Sequence, residues 1–313
     1  MTDNGSTLKL SGVTKRFDEF TAVDELSLSV RRGRIYGLLG PNGAGKTTTI
    51  RMIVNITAPD SGRIELFGKQ ITAELQDRIG YLPEERGLYK KMKIDDQLRF
   101  FGSLKNFNGK SAEDSIVRWL KRVDLLKWRF NKADELSKGM QQKIQFIAAV
   151  MHDPDLLILD EPFSGLDPVA TEVLKSVVLE LKASGKTIIF STHQMETAEK
   201  LCDDICLINR SKKILEGSLR EIKHSFGRNA VALRYTGGDG VLEDRSLVAK
   251  VEHHSDEVEA LLAEGADAQD LLQRMLASGS RILKFELIEP SLHDIFIEKV
   301  GGNDDQIAGN HQA

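Results

Sequence analysis

The chain has 313 residues, enough for two domains with separate cores, and 41% hydrophobic with 29% charged residues is the composition of an ordinary globular protein. Its longest apolar stretches, such as residues 144–151 and 156–159, fall well short of the roughly 18 residues that a membrane span needs, which excludes the chain itself as a channel or permease. The net charge of −4 hides an asymmetry: from Asp239 onward there are 6 basic against 16 acidic residues, whereas residues 86–143 hold 15 basic against 7 acidic. An acidic C-terminal part argues against direct nucleic-acid binding, where phosphate contacts dominate. The basic stretch reads as a solvated face, with an anionic membrane surface or a docking partner as the alternative.

The first residues, 1–6, contain no basic region followed by an apolar run, so a cytoplasmic location is expected. From Leu8 to Val30, short alternating runs broken by polar turns predict antiparallel strands. Ile35 to Leu39 reads as a strand and Thr49 onward as a helix, and between them lies Gly-Pro-Asn-Gly-Ala-Gly-Lys-Thr-Thr, residues 40–48. Glycines at this spacing let successive backbone N–H groups turn inward around a phosphate, which then also sits on the positive end of the following helix. Asn42, Gly43, Ala44, Gly45, Lys46, Thr47 and Thr48 are therefore predicted to bind a nucleoside triphosphate, with Lys46 reaching the β- and γ-phosphates and Thr47 ligating Mg²⁺.

Between residues 95 and 132, Phe100, Phe101, Leu104, Trp119, Leu120, Val123 and Leu126 recur at helical spacing and predict an inserted helical subdomain, about residues 90–145, with the aromatics Phe100, Phe101 and Trp119 in its core rather than forming a binding platform. The runs Leu156 to Asp160 and Thr187 to Ser191 are compact and apolar, as buried parallel strands are. The first ends in Asp160-Glu161-Pro162, two carboxylates where the sheet edge meets the nucleotide. Asp160 is placed to hold Mg²⁺, and Glu161, pointing elsewhere, to polarise a water for in-line attack on the γ-phosphorus. Cys202 and Cys206, the only cysteines, have a spacing that neither staples loops nor completes a zinc site, so both are expected as buried free thiols. Beyond residue 222 a second, small α+β domain is expected over 223–302. Strands are predicted near 230–235, 247–251 and 282–288, and a helix around Leu271 to Leu276. A capping box of Ser291 and Asp294 starts a last helix that ends at Gly301-Gly302, followed by a disordered tail over 303–313.

Further motifs fall in an order that resembles the ATP-binding subunit of an ATP-binding cassette (ABC) transporter. Leu136-Ser137-Lys138-Gly139-Met140 is similar to that family's signature, Ser164-Gly165-Leu166-Asp167 to its interface loop, and His193 to its switch histidine. The resemblance implies an α/β fold: a P-loop ATPase domain over residues 1–222, with a mixed core sheet, an antiparallel β subdomain and the helical insertion. It implies that Ser137 and Gly139 touch a γ-phosphate held by a second copy of the ATPase, identical or a paralogue, that Asp167 crosses the interface, and that His193 contacts the γ-phosphate beside the catalytic Glu161 and Lys46. Phe17 matches the aromatic that stacks on adenine, with Phe20 nearby as a competitor. It also implies a separate integral membrane permease, docked between the helical subdomain and the segment after Glu84 on the inner face of the membrane. Two departures stand out: Glu84 replaces a glutamine and adds a carboxylate able to ligate Mg²⁺, and Met140 replaces the signature glutamine. With residues 289–299, they resemble the sodium-efflux group of type-2 ABC exporters, so sodium or drug efflux is expected. The alternative is a soluble ABC-type ATPase acting on a cytosolic assembly or nucleic-acid machine; an ATP-gated regulator without useful turnover is a third reading.

Overall fold

The computed structural model describes residues 5–85, 87–226, 230–254, 257–263 and 265–308. It forms two units, Met1–Leu219 and Arg220–Ala313. Among the described residues, no helix is long and apolar enough to cross a membrane.

The first unit opens with β1 (Ser6–Phe17) and β2 (Phe20–Arg31), an antiparallel hairpin whose alternation buries Leu8, Leu10, Leu26, Leu28 and Val30 on one face. β3 (Ile35–Leu39) then leads through the glycine-rich loop into α1 (Lys46–Ile53). β4 (Ser61–Leu66) pairs with β1, and with β5 (Lys69–Gln70) completes a four-stranded antiparallel sheet in the order β2-β1-β4-β5. β6 (Ile79–Leu82) belongs to a second sheet and precedes the helical insertion.

The insertion consists of α2 (Ile94–Ser103), α3 (Gly109–Arg122) and α4 (Lys138–Val150) around a core of their own that includes Ile94, Leu98, Ile116, Leu120, Ile144 and Ile147. Not every apolar residue at helical spacing is core. Phe101 and Trp119 pack against it, but Phe100 and Leu104 stay exposed on another side of α2, because the apolar pattern of this helix covers more than the face its neighbours bury.

After the insertion come β7 (Leu156–Asp160), α5 (Pro168–Ala183), β8 (Thr187–Thr192), α6 (Met195–Leu201), β9 (Asp204–Asn209) and β10 (Lys212–Ser218). The second sheet runs β10-β9-β3-β8-β7-β6, parallel except for its antiparallel edge strand β10. β3, β7 and β8 are buried along their whole length, which is why each reads as an unbroken apolar run. Cys202 caps α6, Cys206 lies inside β9, and both are buried free thiols whose pKa burial raises, that of Cys206 to about 12.

The second unit begins within α7 (Leu219–Ser225), the helix that also contains residue 222. β11 (Ala230–Thr236), β12 (Val248–His253), β13 (Val258–Leu262) and β14 (Arg281–Ile288) form an antiparallel sheet in the order β12-β13-β11-β14. α8 (Ala268–Ala277) covers it through Leu271 and Met275. The capping box forms: the Asp294 N–H donates to Ser291 Oγ at 3.1 Å and the Ser291 N–H to Asp294 Oδ2 at 3.1 Å. The helix that follows, α9 (Leu292–Ala308), does not stop at Gly301-Gly302. Glycine lowers helix stability without forbidding helix, so two of them are a weak terminator when no left-handed turn follows. The disordered tail expected from residue 303 is thus helical through Ala308, and residues 309–313 lie outside the described residues.

Candidate functional site

Parallel strands in one sheet end on the same edge, and here four neighbouring ends carry the predicted chemistry. In register, Leu39 of β3 pairs with Thr192 of β8, Ser191 with Asp160 of β7, and Leu159 with Leu82 of β6. The loops leaving these ends hold the phosphate loop, His193, Glu161 and Glu84. Residues more than a hundred positions apart are thereby gathered at one edge. A cavity of about 420 Å³ opens there, lined by Asn42, Gly43, Gly45, Lys46, Thr47, Thr48, Glu84 and Glu161, with Phe20 and Ala22 at its side.

The loop keeps its shape because two glycines occupy places that no side chain fits. Gly40 has φ 149° and its missing Cβ would sit 2.1 Å from the Ile208 carbonyl oxygen; Gly45 has φ 105° and would meet the Ala22 carbonyl oxygen at 2.3 Å. Ala44 does not line the cavity: it is buried beneath the loop, and its N–H donates to the Pro41 carbonyl at 3.2 Å. Lys46 is buried and folds back over the loop, donating to the carbonyls of Gly40 at 2.8 Å and Pro41 at 3.1 Å. Its Nζ lies 3.9 Å from Glu161 Oε1. Burial lowers the Lys46 pKa, against the pull of Glu161, Asp160 and Glu84.

The two carboxylates are held differently. Asp160 is fully buried; one oxygen accepts from the Ser191 hydroxyl, while Oδ2 has no hydrogen-bond partner among the described residues. Burial raises its pKa, and the hydroxyls of Ser191 and Thr47 oppose that rise. A buried, unsatisfied carboxylate oxygen next to Thr47 suits a divalent cation, which would supply the missing partner and offset the desolvation. Glu161 takes the left-handed backbone, φ 46°, which turns its side chain away from Asp160 and toward the cavity. Glu161 Oε1 accepts from the His193 N–H at 3.1 Å and lies 2.9 Å from His193 Nδ1; Oε2 accepts from the Thr192 hydroxyl at 3.2 Å. Sequence reasoning overlooked Ser191 and Thr192. Their signal is two hydroxyl residues directly after the apolar run Ile188-Ile189-Phe190.

The remaining predicted residues lie elsewhere. Ser137 caps α4, its hydroxyl accepting from the Met140 N–H at 3.3 Å, and Asp167 caps α5, accepting from the Ala170 N–H at 2.8 Å. Gly139 faces Leu166 and Asp167, where an added Cβ would meet their side chains at 3.5 and 3.9 Å. The three form a patch outside the cavity that Lys46 and Glu161 line. Gln142, also overlooked, links α4 to the turn after Glu161 through the Pro162 carbonyl at 3.4 Å. Phe17 ends β1 opposite Phe20; both rings are largely exposed, and Phe20, not Phe17, lines the cavity.

A family described as "ABC transporter" matches residues 23–164, and one described as "ATP-binding protein DrrA1-3-like, C-terminal domain" matches residues 217–300. The chain is 46% identical to the uncharacterized ABC transporter ATP-binding protein YhaQ of Bacillus subtilis (strain 168), over 94% of this chain and 98% of that protein. It is 35% identical to the Nod factor export ATP-binding protein I of Ralstonia nicotianae, over 95% of each. A solved ATP-binding subunit of an ABC transporter superposes with a TM-score of 0.67 at 30% identity, covering 71% of this chain and 94% of the other.

Proposed function

Because the chain belongs to the ATP-binding subunits of ABC transporters, ATPases that bind ATP, we propose that two copies of it clamp ATP and Mg²⁺ between them and drive a separate membrane permease in export. The separation of the site into two patches supports the two-copy reading. One chain presents the phosphate loop, Glu84 and Glu161 in a cavity, and presents Ser137, Gly139 and Asp167 outside it. A second copy facing it head to tail brings its Ser137, the Gly139 N–H and the positive end of α4 to the γ-phosphate.

Within each site Lys46 exchanges its loop carbonyls for phosphate oxygens and neutralises their charge. Asp160, Thr47 and Glu84 would hold Mg²⁺, which when bound screens the β- and γ-oxygens. Glu161 accepts the proton of the attacking water, with His193 and Thr192 fixing the orientation of its carboxylate and His193 placed near the γ-phosphate. The adenine stacks on Phe17, at the rim.

The permease docks in a groove of the helical insertion. A mostly apolar cavity of about 430 Å³ lies between the segment after β6 and α2 and α4, with Tyr81, Pro83, Leu88, Phe101 and Leu104 among its walls. Leu104 and Ile56 of its lining are exposed, and exposed Tyr89 and Phe100 pack beside Phe101 of its wall. In this reading the subunit works at the inner face of the membrane. By the resemblance of residues 83–89 and of the C-terminal segment, the exported species is sodium or a drug-like molecule. The test is mass spectrometry of what co-purifies with tagged Glu161→Gln protein from detergent-solubilised membranes in ATP and Mg²⁺. A polytopic membrane protein in stoichiometric yield is expected; a soluble complex instead would mean a cytosolic ATPase.

A further inference from the structure

The sheet of the second unit ends on β14. Among the described residues no other strand pairs with its outer edge, and residues 281–288 make no backbone–backbone hydrogen bond beyond the ladder with β11. An eight-residue edge left open in this way is a template for another strand. It is also apolar, with Leu283 55% and Leu287 41% exposed. Two of the six basic residues found from Asp239 onward, Arg281 and Lys284, lie in it against a single acid, Glu286. The opposite edge differs: β12 bulges at Ala249, whose carbonyl accepts from Arg245 Nη1 at 2.7 Å, and none of the exposed large hydrophobic residues belongs to it. β14 bulges at Leu283 but keeps a regular register with β11 from Lys284 to Ile288.

We propose that β14 pairs antiparallel with β14 of a second copy, joining two four-stranded sheets edge to edge across a two-fold axis at Phe285. The sequence selects this register. N–H and C=O groups point outward at alternate positions only, so two copies of one strand pair even positions with even and odd with odd. Centred on Phe285, Lys284 lies opposite the partner's Glu286, twice by symmetry, and Leu283 comes beside the partner's Leu287. Centring on Lys284 opposes two lysines, centring on Glu286 opposes two glutamates, and centring on Leu283 or Leu287 sets one of these charges against an isoleucine. Lys284 Nζ already lies 2.9 Å from Glu257 Oε2 and 3.2 Å from Glu286 Oε2 of its own chain, so in the pair each ammonium is shared among carboxylates of both copies. The remainder of the unit is strongly acidic and repels its copy, which favours close approach along a strand where basic residues outnumber acidic ones. This contact is additional to the ATP clamp and needs no nucleotide.

The test is sedimentation equilibrium of the full chain without nucleotide, where a reversible dimer is expected. Glu286→Lys sets two lysines against each other at both symmetric positions and is expected to weaken the dimer about tenfold, while Lys284→Glu combined with Glu286→Lys brings it back to within about threefold of wild type. A cooperative melt of each variant checks that the fold is kept. Register is read separately by disulfide formation. A mixture of Lys284→Cys chains with Glu286→Cys chains should cross-link about tenfold faster than either alone, because only the mixed pair sets two thiols directly opposite rather than on a diagonal. Native Cys202 and Cys206 are buried and stay out of the reaction. A chain that is monomeric without nucleotide, an affinity indifferent to Glu286→Lys, or cross-linking no faster in the mixture overturns the strand pairing. The clamp is scored on its own. Glu161→Gln protein that dimerises only with ATP and Mg²⁺ keeps the clamp and overturns the strand pair, whereas a nucleotide-free dimer that ATP does not tighten keeps the strand pair and overturns the clamp.

Discussion

Glu161 and Asp160 are adjacent in sequence, yet one faces the cavity and the other is fully enclosed, a divergence produced by the left-handed backbone at Glu161. Replacing Glu161 by Gln keeps its size and removes its basicity. ATP hydrolysis is expected to fall roughly 10²–10⁴-fold with ATP binding retained, measured by phosphate release and by equilibrium nucleotide binding. Asp160 should behave in the opposite way toward stability. Its raised pKa means that the ionised form costs folding free energy once pH rises through the ordinary carboxylate range. Asp160→Asn is therefore expected to raise the Tm of the nucleotide-free protein, by the equivalent of about 1 kcal/mol, while abolishing Mg²⁺-dependent hydrolysis; a melt and an ATPase assay on the same preparation check both. At the adenine end, Phe17→Ala should weaken ATP binding about tenfold and Phe20→Ala less, since stacking on an aromatic ring is worth roughly 1–3 kcal/mol. The reverse order in titration calorimetry would give the role to Phe20, the ring that lines the cavity.

At the scale of elements, an ion-pair network ties the helical insertion together. Asp95, in the first turn of α2, accepts from Arg99 Nε at 2.8 Å and Arg129 Nε at 2.7 Å, and both arginines also pair with Glu113 of α3. Burial would raise the Asp95 pKa, but the two arginines outweigh it and hold the carboxyl below its usual range. Because the folded pKa lies below the unfolded one, the stabilisation is present above the unfolded carboxylate value, about 4, and is lost as pH falls through the lowered folded value. Denaturant melts should therefore show wild type more stable than Asp95→Asn by about 2 kcal/mol at neutral pH, with the gap closing only below about pH 4. The same helix shows how far a pattern can be read. Helical periodicity marks α2 plainly, but whether Phe100 and Leu104 are core or surface depends on how many neighbours surround the helix. The run of α9 through Gly301 and Gly302 is a similar case, where a local preference of about 1 kcal/mol per glycine did not decide the outcome.

For the molecule as a whole, the proposed two-copy site makes a complementation prediction. Lys46→Ala and Ser137→Arg should each abolish hydrolysis alone, whereas a mixture should regain activity, because one site of the mixed pair keeps both Lys46 and Ser137 intact. A mixture as inactive as its components would mean that each chain is complete by itself. Docking to a membrane partner can be probed on the basic stretch beside the groove. Lys90, Lys91 and Lys93 reversed to Glu should weaken recovery with membranes, the more so at low salt. Lys91 already pairs with Asp134 at 2.8 Å, so its reversal also sets two carboxylates against each other, and Lys91→Ala separates that effect.

The phosphate loop, the carboxylate pair and the buried strands were legible in the sequence because each is local: glycine spacing, an apolar run and its terminal acids are set by neighbours in the chain. The order of the motifs carried the family, and alternation or periodicity carried the hairpin of β1 and β2, most of the second unit's elements and the helical insertion. Tertiary structure alone decided the rest. The hydroxyls of Ser191 and Thr192 became partners of the carboxylates only because β8 lies beside β7 in a particular register, and Asp160 lost a hydrogen-bond partner only because the sheet closed over it. The unmatched polar atoms of Gln76, Gln145 and His152 likewise exist only where two distant stretches of chain, residues 73–78 and 138–152, come together. Burial and hydrogen-bond satisfaction are sums over neighbours in space, and a one-dimensional pattern records which residues prefer to be inside without recording which of them will meet.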